Sequence, residues 1–240
     1  MKSLIRSSRH EGIDLASLRP PQGRGRSAIA AAVRMLAVAR VYRRLMLLER
    51  RLDEPIVDLL LPAGLVVRQL DLEDLGAYCA FRPDQDPAAI RRRLAAGEWA
   101  FTAWESGRIV TAGWTSPRRA AIEYLGWEIT LAPDEGYSYD LFTAPGFRGH
   151  GLAAAARIPA LRHARDHGCR RLFSALLPEN LPGWSTPAAI GFRAIGWIGY
   201  VGPRPLRYRF CRLDAPAGER RADPSVEYLS AATALLLLSG

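Results

Sequence analysis

Residues 137–153 read Tyr137-Ser-Tyr-Asp-Leu-Phe-Thr-Ala-Pro-Gly-Phe-Arg-Gly-His-Gly-Leu-Ala153, and an Ala-rich segment with Leu and Arg follows. The aromatic-rich start, bounded by Gly136 and Pro145, predicts a strand over 137–143. The Ala, Leu and Arg content predicts a helix over 152–167, stopped by Gly168. Between them Arg148, Gly149, His150 and Gly151 bring successive backbone N–H groups to a helix N-terminus, where no intrahelical carbonyl can accept them. Such a turn suits an anion, because the helix dipole adds partial positive charge and glycines let a phosphate come close to the backbone. There is no Gly-Lys-Ser/Thr run for a nucleotide P-loop. A Gly-x-Gly-x-x-Gly with a following acidic residue is also missing.

Arg148-Gly-His-Gly151-Leu-Ala153 fits the pattern Arg/Gln-x-x-Gly-x-Gly/Ala. Together with Phe142, Thr143 and Pro145 it resembles the acyl-CoA signature of the GCN5-related N-acetyltransferase (GNAT) family. The likeness continues through Gly168, a strand over 171–177, Asn180 and, eleven residues further, Gly191-Phe192. It spans roughly 65–213. The resemblance implies an α/β fold of the α+β type: a mixed, mostly antiparallel sheet with helices on both faces, here carrying an N-terminal helical extension. It implies acetyl-CoA as co-substrate, with the pyrophosphate held by Arg148, Gly149, His150, Gly151, Leu152 and Ala153. The backbones of Phe142 and Thr143 would then meet the pantetheine amides, and Asn180 the cofactor or a bound water. A loop-capping role for Asn180 is the alternative reading. In the family the central strand splays from the next one, and the acyl chain enters that gap.

The formal charge of +9 is unevenly spread. Residues 1–51 carry twelve basic and three acidic side chains, and the other 21 of each balance over 52–240. The excess therefore belongs to an N-terminal arm, and the catalytic-looking part is neutral. Four divisions follow: a disordered basic arm over 1–26, an amphipathic Arg-rich helix over 27–55, an acetyltransferase domain over 56–214 and a tail over 215–240. The helix is read from Val38, Val41, Leu45, Leu48 and Leu52, spaced 3, 4, 3, 4 opposite Arg40, Arg43, Arg44, Arg50 and Arg51. Its stripe can pack on the parent domain, pair with a second helix, as in a homodimer, or lie on an anionic membrane surface. Nucleic acid is disfavoured, since Tyr42 is the arm's one aromatic residue.

Three dispersed cysteines without Cys-x-x-Cys, with no leader and no apolar run of membrane-spanning length, lead to the expectation of a cytoplasmic protein, peripheral to a membrane if the arm binds one. Within the domain, strands are expected over 65–70, 99–105, 108–115 and 122–131, with helices over 72–81 and 88–96. A short helix is expected over 188–190, capped by Ser185, and strands over 197–201 and 206–213.

Acyl transfer from a thioester to an amine needs a proton acceptor for the amine and a proton donor for the thiolate. Tyr139 and Asp140 lie on the central strand, and alternation sends them to opposite faces. Asp140 is the candidate base, with Glu123 and Glu128 competing. A structural hydrogen bond is the other role open to Asp140. Where many family members carry a Tyr, four residues before Gly191-Phe192, this chain has Pro187, which has no proton to give. Tyr200, Ser185, Tyr137 or solvent would have to serve. His163 and His167 are four apart on the helix and read as a solvated face; no metal is expected. The function expected is acetyl-CoA-dependent N-acetylation of a primary amine on a small-molecule or sugar-like acceptor. The alternative is a non-catalytic acyl-CoA-binding or membrane-associated module.

Overall fold

The computed structural model describes residues 35, 36, 38, 40–58, 61–203 and 206–213. The expectations for 1–26 and 215–240 lie outside these residues. Contacts divide the described chain into two units. The larger draws on Arg44–Gly199 and Arg209–Gly240, the smaller on Met1–Arg43 and Tyr200–Tyr208. In the smaller one the Gly202 N–H donates to the Val41 carbonyl at 2.7 Å, and the Arg207 guanidinium lies 4.2 Å from the Tyr200 ring centroid.

In chain order the elements are β1 (Tyr42–Arg51), β2 (Leu65–Gln69), α1 (Leu75–Phe81), α2 (Pro87–Ala95), β3 (Trp99–Glu105), β4 (Arg108–Ser116), β5 (Arg119–Ile122), β6 (Trp127–Thr130), β7 (Glu135–Thr143), α3 (Leu152–Asp166), β8 (Arg171–Leu176), α4 (Leu181–Ala189), β9 (Arg193–Val201) and β10 (Tyr208–Leu213). Eight strands form one sheet in the order β10-β9-β1-β8-β7-β4-β3-β2, and β5 with β6 forms a separate hairpin. β7 and β8 run parallel, while β1 with β8, β2 with β3, β3 with β4 and β4 with β7 run antiparallel. One core joins α1 and α2 to the sheet through Tyr78, Ile90, Ala112 and Trp114. Another packs α3 against Met46, Leu48, Leu172 and Phe192.

The expected Arg-rich helix is overturned over its second half. Tyr42–Arg51 is a strand paired with β8, and the sheet order places it between β8 and β9. Leu45, Met46, Leu47 and Leu48 are buried in succession, so both faces of β1 are covered. A strand buried on both faces shows no period of two, and its apolar residues fell by coincidence on helical spacing. Arg50, assigned to a cationic outer face, is 2% exposed. Its Nε donates to the Ile190 carbonyl at 3.0 Å and its Nη2 to the Pro55 carbonyl at 2.7 Å. Arg43, Arg44, Arg50 and Arg51 therefore present no helical membrane face.

Two smaller corrections concern boundaries. The strand expected over 122–131 is broken by a turn in which the Gly126 N–H donates to the Ile122 carbonyl at 3.0 Å, so the chain doubles back as β5 and β6. The helix expected over 188–190 begins instead at Leu181. Asn180 Oδ1 accepts from the Gly183 N–H at 3.2 Å and caps it. The other strands and helices expected over 65–213 agree with the structure within a few residues, and the expectation for 27–34 lies outside the described residues. At the β3–β4 hairpin Ser106 and Gly107 have φ of 50° and 73°, the two left-handed residues that such a turn requires.

Candidate active site

The site is built where β7 leaves its neighbours. Parallel pairing with β8 runs through Glu135↔Arg171, Gly136↔Leu172 and Tyr137↔Phe173, and then stops. Beyond that point β8 stays paired with β1 as far as Met46↔Leu176, and β7 stays paired with β4 as far as Thr111↔Thr143. A fork opens between β7 and β8. It exposes the edge of the central strand, whose residues change from buried to half-buried at Tyr139.

At the open end of β7 a single 3₁₀ turn, Pro145–Phe147, leads into α3. Gly149 and Gly151 have φ of 81° and 75°, and Gly151 is the left-handed N-cap of α3. A Cβ on either would meet nothing within 4 Å. The glycines are therefore set by backbone conformation, since a left-handed residue with a Cβ costs about 1–2 kcal/mol. Among the described residues no backbone carbonyl accepts from the N–H groups of Gly149, His150, Gly151, Leu152 or Ala153. Five consecutive donors thus lie at the positive end of a fifteen-residue helix, an arrangement that fits a pyrophosphate.

Phe142 and Thr143 lie on the last turn of strand before this loop. Thr111 Oγ1 donates to the Phe142 carbonyl at 2.9 Å, and Arg148 Nε to the Thr143 carbonyl at 3.1 Å. The Thr143 carbonyl can accept a second hydrogen bond, from a ligand amide. His150 is exposed.

The expected alternation of Tyr139 and Asp140 fails, because β7 carries one extra residue between Tyr139 and Phe142 relative to β4. Asp140 is the bulged residue, with φ 47°. The bulge brings both side chains to one guanidinium: Arg93 Nη1 lies 3.0 Å from Asp140 Oδ2, and the Arg93 guanidinium 5.3 Å from the Tyr139 ring centroid. Arg82 Nη1 takes the other Asp140 oxygen at 2.9 Å. Both carboxylate oxygens of the candidate base are thus engaged in ion pairs that tie α1 and α2 to the central strand.

A different carboxylate lies beside the strand. The Tyr139 hydroxyl donates to Glu98, which is buried just after α2. Burial, with the Glu98 hydrogen bond next, pushes the Tyr139 phenol well above the usual tyrosine range, so it is protonated at neutral pH. Its ring stacks on Tyr137, centroid to centroid 5.9 Å, so the pair is continuous with the base of the fork. Arg119 reaches Glu98 at 3.7 Å and Glu128 at 3.4 Å. Glu128 is therefore one guanidinium away from Glu98, on the exposed face of β6. Glu123 is 86% exposed, 3.7 Å from Arg93. Sequence reading missed Glu98, whose only local signal is its place between the Gly97 helix stop and β3.

The remaining candidates separate. Tyr137 is buried and its phenol is pushed up by that burial. Tyr200 is 1% exposed, and Pro187 lies inside α4. His163 and His167 stack on each other at 4.0 Å; His163 is half-buried and packs on Trp99 at 4.8 Å, while His167 is exposed as the solvated face expected. Among the described residues no group of three or more His, Cys, Asp or Glu could hold a metal ion.

A model of the acetyltransferase (GNAT) family matches residues 67–192. The chain belongs to the GNAT acetyltransferase family. The match begins in β2 and closes on Phe192, so it contains the fork, the glycine turn and the Tyr139–Glu98 pair.

Solved structures similar to this GNAT chain include a protein from Novosphingobium aromaticivorans assigned to the same family, at 19% identity and TM-score 0.47, with 65% of this chain and 63% of that one covered. An aminoglycoside N-acetyltransferase in complex with CoA is 23% identical at TM-score 0.45, covering 53% of this chain and 91% of the other. An acetyltransferase from Trypanosoma brucei is 21% identical at TM-score 0.41, covering 63% and 99%. The chain thus spans under two thirds of the first of these and nearly all of the other two. No curated protein matches the chain.

Proposed function

We propose that this chain is an acetyl-CoA-dependent N-acetyltransferase acting in the cytoplasm on a primary amine of a small-molecule or sugar-like acceptor. The observation that carries the reading is the row of five N–H groups leading into α3 that no backbone carbonyl among the described residues takes, beside the open edge of β7. Gly149, His150, Gly151, Leu152 and Ala153 would bind the pyrophosphate, with Arg148 beside them. The edge of β7 through Phe142 and Thr143 would orient the pantetheine. Asn180, as the cap of α4, acts on the loop rather than on the ligand.

Acetyl-CoA supplies a thioester carbon that the amine attacks, the C–S bond breaking with its electron pair left on sulfur. The proton lost by the amine passes to Tyr139 Oη as that hydroxyl gives its own to Glu98. Asp140 holds Arg82 and Arg93 and so fixes the bulge that aims Tyr139. With Pro187 in the family's tyrosine position, the thiolate takes its proton from solvent.

That same proline favours a second reading, an acyl-CoA-binding module without turnover. Calorimetric titration with acetyl-CoA tests the shared part: wild type binds, and Gly151→Glu, which puts a carboxylate at the anion turn, does not. No binding by folded wild type would sink both readings. Release of CoA on adding amino sugars then separates enzyme from binding module.

A further inference from the structure

Arg157 lies on α3 and is 5% exposed. Its Nη2 donates to Ser174 Oγ at 3.2 Å, and its guanidinium is 5.1 Å from the Phe192 ring centroid. Nε and Nη1 are buried and have no hydrogen-bond partner among the described residues. No carboxylate pairs with it there, in contrast to Arg50, Arg68, Arg82, Arg93 and Arg171, each of which has one. A buried guanidinium with unmade bonds is costly, and protein interiors rarely keep one without a partner.

Its position gives that cost a purpose. Ser174, which holds the Arg157 guanidinium, is the first residue of β8 beyond the last β7–β8 pair, Tyr137↔Phe173. The guanidinium therefore sits at the base of the fork. Whichever Nη2 hydrogen Ser174 takes, one two-donor edge of the planar group stays unpaired, the geometry that a carboxylate fills with parallel hydrogen bonds. Burial lowers the Arg157 pKa to about 10, which leaves it charged at neutral pH.

We propose that the fork selects an acyl-CoA whose acyl chain ends in a carboxylate, bound by Arg157, in preference to acetyl-CoA. The inference rests on the CoA-binding turn proposed above and replaces acetyl-CoA with a carboxylated thioester as the preferred acyl donor of the same site. The transfer chemistry is unchanged, since the carboxylate end takes no part in the bonds made and broken.

Titrating CoA, acetyl-CoA, malonyl-CoA and succinyl-CoA into wild type, Arg157→Lys and Arg157→Met tests it. Wild type should bind at least one of the two carboxylated thioesters about ten-fold or more tighter than acetyl-CoA, the scale of one charge-assisted pair. In Arg157→Met the preference should vanish while acetyl-CoA affinity stays within about two-fold of wild type. Equal affinities in wild type would overturn the proposal without any variant, as would a preference that survives in Arg157→Met. CoA serves as the control. If CoA itself fails to bind, the nucleotide-turn reading falls and takes this one with it; if CoA binds and the thioesters are not distinguished, only this one falls. Should Arg157→Met fail to give a cooperative melt, Arg157→Lys decides, since it keeps the charge but loses the two-donor edge and should retain only part of the preference.

Discussion

Arg93 of α2 and Asp140 of β7 are joined Nη1 to Oδ2 at 3.0 Å, across 47 residues of sequence. With Arg82 on the other oxygen, the carboxylate is the clamp between the two-helix layer and the bulged strand. Asp140→Asn keeps a side chain that tolerates φ 47° but removes the charge from two guanidinium groups that are 8% and 18% exposed. The expected cost is about 2–3 kcal/mol, below the full penalty of a completely buried pair. Asp140→Ala adds conformational strain of about 1–2 kcal/mol. Thermal melts should therefore rank wild type, then Asn, then Ala. An Asn variant that melts with wild type yet loses turnover would return Asp140 to the role of base.

The strand, turn and helix around residues 137–167 were legible because glycines and a proline punctuate them, and punctuation survives in one dimension. The bulge was not. One extra residue at Asp140 breaks a period of two without changing composition, so alternation assigned Tyr139 and Asp140 to opposite faces. β1 was lost for the converse reason, since burial on both faces erases the period that identifies a strand. Arg157 reads as one more arginine on an Ala-rich helix, where the default is a solvated face. Its burial follows from where α3 docks, and that depends on contacts far away in sequence. Glu98 and Tyr139 are likewise 41 residues apart.

The Tyr139–Glu98 pair predicts a split between binding and turnover. Glu98→Gln leaves the turn at Gly149 and Gly151 untouched, so acetyl-CoA affinity should stay within about two-fold of wild type. Loss of the proton acceptor should lower kcat by about 10²–10⁴-fold. Tyr139→Phe should fall in the same range, because it interrupts the relay at its first oxygen. A steady-state assay with both variants decides: wild-type kcat in Glu98→Gln would remove Glu98 from the proton path.

Acid sensitivity should reach the start of α1. The Arg68 guanidinium holds the Asp74 carboxyl below the usual carboxylate range. A depressed folded value stabilises the protein at pH above the unfolded value of about 3.9, and the contribution is lost as pH falls through the folded one. With Arg68 42% exposed, solvent limits the pair to about 1 kcal/mol. For a chain of this length that is about 2–4 °C in Tm. Asp74→Asn should therefore melt a few degrees below wild type at pH 7, with the gap closing as the pH falls through the depressed folded value. A gap independent of pH would show that the charge of Asp74 contributes nothing.

Placing β1 inside the sheet changes what a truncation can report. Leu45, Met46, Leu47, Leu48 and Leu52 are all under 9% exposed. Each contributes about 1.5–3 kcal/mol by burial. Together they match the whole stability of a typical domain, about 5–15 kcal/mol. Removing them also strips β8 of its antiparallel partner from Arg171 to Leu176 and leaves an open edge in mid-sheet. A chain truncated after Leu52 should therefore be insoluble or show no cooperative thermal transition by circular dichroism. Were 27–52 an independent surface helix, the same truncation would melt within a few degrees of the full chain. That outcome would remove β1 from the fold and, with it, the antiparallel partner that holds β8 straight where β7 departs from it.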